Sequence, residues 1–420
     1  MTTHHLIVQG KGVCSAAGNG RRAILLSVLL LTLTALLLTG EARAGSIFSA
    51  YGQGEMIMEG DARLRAMGGA GLALTGSYSG SLINPALLGG LRYTGITITS
   101  RPEALYIQDE KSDNVLTSAR VLHLALCLPL GRGLGLSVDL RQLSDTKFKA
   151  YEEIILFDES YTKIVSRTGG LSMASVNLAK SFGSRFFVGI RAGHVFGRTT
   201  ESRTGDFQDD DYRDSSTSCD RQHSGTQFTA GLAVKVNRHV SAGAFITPAY
   251  DIRQDETNSS SFEETVMVER TLSFPVRYGF GIAYHSGSRF SGQFDIIAIR
   301  WGDFAIDDQI QSDHRDVIRL AFGGQYQASK DNSASYLQRI PLRFGYAYEP
   351  WHQKTPAGAS ISGHFLTLGL GLPFNRGGAV LDAALQLGWR GDVSAAGAKE
   401  TIVRGVISLW GFEPWFQRKR

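Results

Sequence analysis

The chain has 420 residues, 43 Lys and Arg against 39 Asp and Glu, a formal net charge of +4, 49 Gly, 10% aromatic residues and three Cys. Residues 1–44 carry Lys11, Arg21, Arg22 and Arg43 against Glu41, a net of three positive charges, so the remainder stands at +1 and makes no electrostatic case for a nucleic-acid partner. Cys14, Cys127 and Cys219 give neither a disulfide framework nor metal-ligand spacing, and many Gly and aromatics with no long apolar helical stripe after residue 40 favour short strands and tight turns.

In chain order, Arg21 and Arg22 precede the sixteen apolar residues Ala23 to Leu38, and Ala42, Arg43 and Ala44 lead to a cut at Gly45. This is the pattern of a cleaved signal peptide over 1–44. Sixteen residues at about 1.5 Å each fall short of a hydrocarbon core of roughly 30 Å, which argues against a retained anchor. Residues 46–61 form a lead-in without period. Residues 62–91 (ARLRAMGGAGLALTGSYSGSLINPALLGGL) are small and apolar, break every later pattern, and read as the core of an N-terminal plug spanning 45–91.

From Arg92 on, apolar residues recur at every second position, the period of a strand whose faces meet different surroundings. Leu122, Leu124, Leu126, Leu128 and Leu130 are expected on one face, with Val121, His123, Ala125, Cys127 and Pro129 on the other. Leu385, Leu387 and Trp389 likewise alternate with Ala384, Gln386, Gly388 and Arg390. The second face collects Asp139, Arg141, Arg191, Arg277, Arg343, Asp382 and Arg390, charges that are costly in a sandwich core and cheap on a wet lumen wall. Fourteen segments are counted: 92–100, 119–130, 133–146, 169–181, 184–199, 225–236, 239–253, 270–285, 288–303, 315–329, 339–352, 361–374, 378–391 and 401–416. An even count suits a closed antiparallel transmembrane barrel over 92–416, since only closure satisfies every backbone group in lipid. A basic tail, 417–420, follows.

Tight turns at 131–133, 182–183, 237–238, 286–287 and 375–377 contrast with longer polar connections such as 201–224 and 254–269, which are expected to be loops on the opposite side. Both termini then lie on the short-turn, periplasmic side of an outer membrane rich in lipid and lipopolysaccharide. Tyr93, Tyr106, Trp301, Trp351, Trp389, Trp410 and Trp415 are expected in the interfacial girdles.

The run from Ala62 to Ala70, with Gly68 and Gly69, followed about fifteen residues later by Asn84, Pro85 and Ala86, resembles the N-terminal hatch of the FadL/TodX outer-membrane transport family and its PorV-like relatives. The resemblance implies a fourteen-stranded barrel with a hatch in its lumen and transport of hydrophobic small molecules such as long-chain fatty acids. It implies no enzyme activity. A PorV-like secretion or surface-attachment barrel that binds a secreted or surface protein is the alternative reading, and a general porin the third. Gly68, Gly69, Gly71, Asn84, Pro85 and Ala86 are the candidate hatch and gating residues. The charges of the second face either tune passage or form salt bridges between plug and wall, and the latter is favoured for each. Asp209, Asp210 and Asp211 match no Ca²⁺ loop, and His123, His194, His285 and His364 are scattered over strands, so no metal, cofactor or catalytic set is expected.

Overall fold

The computed structural model describes residues 45–413, apart from 51, 76–82, 111–112, 157–158, 208–213, 262–263, 288 and 375–377. The expected leader over 1–44, Asp209 to Asp211, the turn 375–377, Trp415 and the tail 417–420 lie outside the described residues.

Fourteen antiparallel strands close into one barrel. They are β1 Thr94–Asp109, β2 Asp113–Gly131, β3 Leu134–Gln142 resuming as Phe148–Leu156, β4 Glu159–Phe182, β5 Phe186–Phe207, β6 Ser215–Lys235, and β7 Val240–Thr247 resuming as Tyr250–Ser260. The circuit continues with β8 Val266–Phe274 resuming as Arg277–Ser286, β9 Phe290–Ile299 with Ala305–Ile306, and β10 Gln309–Ile310 with Val317–Tyr326. It ends with β11 Leu342–Lys354, β12 Ser360–Phe374, β13 Ala379–Asp392 and β14 Ala398–Glu413. Closure is made by β14 on β1, from Thr94↔Glu413 to Asp109↔Ala398. Breaks in β7 and β8 fall at Pro248 and Pro275, where a ladder N–H is missing.

The alternation sets inside against outside. On β13, Leu385, Leu387 and Trp389 are exposed while Gln386 and Arg390 are buried, and Ile190, Phe228, Phe280, Phe294, Phe322 and Leu368 face outward from other strands. Apolar outside and polar inside is the reverse of a water-soluble sandwich and fits a wall facing lipid. Among the described residues no helix is long and apolar enough to cross a membrane, which bears only on helical spans.

Several expectations are corrected. Residues 201–224 and 254–269 are not loops: most of the first belongs to β5 and β6, which pair up to Gly205↔Ser215, and most of the second to the β7–β8 hairpin. Cys219 therefore sits on a strand. The turn residues that end a hairpin are few, and long polar sequence here is strand standing clear of the bilayer, where neither face need be apolar. Residues 148–167 also form a ladder, Phe148↔Arg167 to Leu156↔Glu159, that adds height to β3 and β4. The barrel's asymmetry thus lies in strand overhang more than in loop length, and the longest connection, 327–341, carrying the short helix Tyr336–Arg339, is on the short-turn side. Leu122 turns inward and Val121 outward, because a bulge opposite Thr99 and Ser100 leaves one residue of β2 unpaired and flips the face beyond it. Trp301, Trp351 and Trp410 are buried inside the barrel and belong to no girdle, whereas Tyr93, Tyr106 and Trp389 are exposed.

Candidate functional site

Inside the barrel lie the described residues of 45–91, the hatch. Two short devices fold the hatch locally. Asp61 caps the helical turn Ala62–Arg65 by accepting from Leu64 N, and Gly68 and Gly69 adopt φ of +67° and +76°, a region that favours glycine, to bring the chain back. Asn84 opens the 3₁₀ turn Pro85–Gly90, its Oδ1 accepting from Ala86 N at 3.0 Å.

Around this hatch the wall presents a belt of glycines. Gly135 of β3 lies against Leu88, Gly189 of β5 against Pro85, Gly231 of β6 against Asn84, and Gly243 of β7 and Gly281 of β8 against Leu72. Gly323 of β10 lies against Met67, Gly345 of β11 against Met67 and Gly68, and Gly369 of β12 against Ala66. A Cβ at any of them would come nearer than 3.0 Å to the hatch, closer than real Cβ atoms stand. Polar side chains between the glycines satisfy hatch backbone groups. Asp295 accepts from Gly71 N at 2.6 Å and Leu72 N at 2.9 Å, Ser408 from Ala62 N at 2.7 Å, and Thr367 from Gly68 N at 3.0 Å while donating to Ala66 O at 2.9 Å. Asn84 Nδ2 donates to Leu72 O at 3.0 Å within the hatch and to Leu232 O of β6 at 2.9 Å.

Above the belt, on the side away from the short turns, the fastening is ionic. Glu59 meets Arg277 at 2.8 Å, Arg141 at 3.4 Å and Arg191 at 3.6 Å. Glu55 meets Arg390 at 2.9 Å, Arg101 at 3.6 Å, and Arg404. Burial pushes the Glu59 carboxyl up, but Arg277, Arg191 and Arg141 together outweigh it and hold it at about 2. Glu55 is held well below the ordinary carboxylate range in the same way: burial opposes, and Arg404, Arg390 and Arg101 prevail. Of the seven charges singled out in the sequence, Asp139 accepts from Arg141 Nε at 2.7 Å, and Arg343 pairs with Asp382 at 2.6 Å below the belt. Arg390 also reaches Glu400 at 3.3 Å. All seven side chains are interior and ion-paired, except that Arg277 is only partly buried. Sequence reading missed their hatch partners. Glu55 and Glu59 fall in the lead-in without period, and the available signal was two carboxylates in a stretch otherwise lacking charge until Asp61.

The lead-in also alters the wall. Glu55 and Met56 form a two-residue antiparallel pair with Asp145 and Ser144, and Ile57 N donates to Leu143 O at 2.8 Å. Residues 143–147 keep hydrogen bonds to β4, Leu143 N to Leu171 O at 2.8 Å and Thr146 N to Gly169 O at 3.1 Å, but make no ladder with β2. The lower half of β3 pairs with β2 from His123↔Arg141 to Gly131↔Leu134, whereas Phe148–Leu156 pairs only with β4. Residues 113–122 of β2 consequently face β3 without a ladder, and the Arg120–Asp145 ion pair crosses that gap.

Beside Leu143 lies a lumen cavity of about 160 Å³, lined mainly by Met56, Ile57, Phe274, Ile297, Ile299 and Trp301, with Glu59, Arg277 and Arg319 at its polar margin. Its size is close to the engineered cavity of about 150 Å³ that takes up benzene. Behind it Phe274 packs edge-on against Trp301 at 5.7 Å and Phe304 at 5.5 Å, and those two rings meet tilted at 5.6 Å. Among the described residues no cluster of His, Cys, Asp and Glu is placed to hold a metal ion.

The family model described as BamG matches residues 22–420. Among solved structures, a Pseudomonas aeruginosa FadL homologue superposes with a TM-score of 0.60 at 11% identity, covering 86% of this chain and 100% of that one. The Pseudomonas putida toluene transporter TodX gives 0.58 at 15% identity over 86% and 100%. The Ralstonia pickettii toluene transporter TbuX gives 0.57 at 15% over 86% and 98%. At these identities the likeness is one of fold, and the chain has the FadL/TodX barrel fold that residues 62–86 and the strand count led one to expect. No curated protein matches the chain.

Proposed function

The chain belongs to the BamG family, and from its likeness in fold to the TodX and TbuX toluene transporters we propose that it passes small hydrophobic molecules through an outer membrane, with both termini on the periplasmic side. The observation that carries this reading is the apolar cavity of about 160 Å³ next to Leu143, at the point where β3 parts from β2. A molecule of one aromatic ring fits that space, and a long acyl chain does not. The gap between β2 and β3 offers a sideways exit to lipid beside the cavity. Exit past the hatch would first require breaking the belt and the ion pairs of Glu55 and Glu59, and displacement of Gly68, Gly69, Gly71, Asn84, Pro85 and Ala86 is the gating step of that costlier route. The toluene named for TodX and TbuX is of the size this cavity accommodates.

The test is uptake by cells lacking the gene and complemented with the parent chain or with Ile299→Trp, which fills the cavity. Labelled toluene uptake is expected to depend on the parent chain and to fall to the background of the deletion strain with Ile299→Trp, while labelled fatty acid uptake is the same in all strains. Equal toluene uptake with and without the chain would sink the reading. A general porin would pass ions freely in a planar bilayer; the filled lumen supports a closed channel instead.

A second reading, docking of a secreted or surface protein, is favoured by the height of β4, β5 and β6, which run 24, 22 and 21 residues against the roughly 9 to 11 needed to cross a bilayer. Val266, Met267 and Ile310 stand exposed on the overhanging parts. Crosslinking in intact cells followed by purification is expected to retain a partner that Met267→Ser releases if this reading holds.

A further inference from the structure

Among the described residues, one end of the barrel gathers cations around open space. At the short-turn end, the turns joining β6 to β7, β8 to β9 and β10 to β11 and the hatch enclose a pocket of about 400 Å³. Lys235 at the end of β6, Arg238 of the first turn, His285 and Arg289 flanking the second, and Lys330 of the third line it together with Arg63 and Thr75 of the hatch, and none of its described lining residues is acidic. The carboxylate nearest in sequence, Asp331, is engaged with its own loop, accepting from Ser333 N at 2.9 Å. His285 Nε2 is buried with no hydrogen-bond partner, although the same residue's carbonyl accepts from His239 Nδ1 at 2.8 Å.

We propose that this mouth pocket, between the hatch and the turns of β6–β7, β8–β9 and β10–β11, binds a phosphate-bearing ligand. Lys235, Arg238, Arg289 and Lys330 set four positive charges on one concave wall, where they repel one another, and an anion between them removes that cost while gaining charge-assisted hydrogen bonds. A phosphate monoester brings close to two negative charges and three acceptor oxygens, which suits several converging donors better than a single carboxylate does. Arginine forks on opposite turns can each take two of those oxygens, and Asn237 and Ser291 add neutral donors at the margin. The pocket exceeds the volume of a phosphate alone, leaving room for the group that carries it. Since Arg63 and Thr75 come from the hatch and the four cations from the wall, a phosphate bound here lies between the two.

Two sources share this chemistry, a soluble phosphate ester and a phospholipid headgroup, and calorimetry on the full chain separates them. Glycerol phosphate is titrated into the detergent-solubilised protein at low salt, and in a second arm the protein is placed in nanodiscs of phosphatidylcholine with or without phosphatidylglycerol and its retained lipid is identified by mass spectrometry. Saturable binding of glycerol phosphate identifies a soluble ester; selective retention of phosphatidylglycerol without it identifies a lipid. In either arm Arg238→Ala with Arg289→Ala is expected to weaken binding at least ~10-fold, by removal of two nearby charges, whereas Arg132→Ala, on the exposed turn between β2 and β3, leaves it unchanged. Both double-variant positions are exposed turn residues, and heat-modifiable mobility on a gel reports that the barrel has folded; if it has not, Lys330→Met serves in its place. Absence of saturable binding in both arms, or equal weakening by Arg132→Ala, overturns the proposal.

Discussion

In the tier of the lumen nearest the short turns, glycines of eight strands let the hatch backbone lie flat against the wall, and neutral or singly charged side chains complete its hydrogen bonds. In the tier above, two hatch carboxylates are each gripped by three guanidiniums from distant strands. The lower tier holds chiefly by shape, so its strength depends on the absence of atoms, with Asp295 as the one carboxyl among the hatch hydrogen bonds named there. The upper tier holds by charge that has been taken out of water, so its strength depends on every partner staying ionised.

Substituting one belt glycine is the most damaging way to break this contrast. Gly345→Val places new atoms where the backbone of Met67 and Gly68 already lies, and is expected to unseat the hatch outright, beyond the ~1–3 kcal/mol of ordinary overpacking. It should appear as new conductance in a planar bilayer or as loss of the heat-modifiable folded band, whereas Gly411→Ala, whose Cβ would meet nothing within 4 Å, should leave both as they were. Removing the charge of one hub comes next. Glu59→Gln leaves Arg141, Arg191 and Arg277 facing one another, and is expected to cost about 3–5 kcal/mol in the fastening of the hatch. Hydrogen exchange of residues 55–59 in detergent reads the loss directly, and the belt at Gly68 should stay protected if the two tiers act independently.

Acid sharpens the same comparison without a mutation. Glu59 is lowered from 4.5 to about 2 in the fold, so its contribution is fully present above pH 4.5 and is lost as pH falls toward 2, about 3 kcal/mol over the whole window. Exchange at Glu59 should accelerate across that range before exchange at the belt does, and simultaneous loss of both would show a single cooperative hatch. The smallest effect is expected far from either tier. Arg253, Asp255 and Glu269 form ion pairs at 2.8 and 3.1 Å on the overhanging β7–β8 hairpin with all three side chains more than half exposed. Glu269→Ala should leave the melting midpoint unchanged within error, because solvent and salt already screen such pairs.

Which parts of this arrangement could be read in advance follows from the range of the interactions. Alternation along β13 or β12 is local: each residue's face is set by its neighbours two positions away, so a lipid-facing Leu387 and a lumen-facing Arg390 are visible in the sequence. Strand ends were harder, because a strand that rises out of the bilayer loses its apolar face while keeping its ladder, and residues 201–207 and 215–224 then look like loop. Trp301, Trp351 and Trp410 were misplaced for a related reason: a large aromatic at a strand end suits an interface or an interior cluster equally, and only its surroundings choose.

The sequence by itself determined a closed fourteen-stranded wall with an apolar exterior, a polar interior and a small-residue segment to fill it, because period and composition are properties of neighbouring residues. Only the tertiary structure decided how the interior face is divided. Gly189 and Arg191 are two positions apart on the same face of β5, yet one belongs to the belt and the other to the Glu59 hub. That division is set by where the hatch crosses each strand, more than a hundred residues away in the chain. The same crossing breaks β3 at Leu143, opens the wall beside β2, and leaves the cavity there.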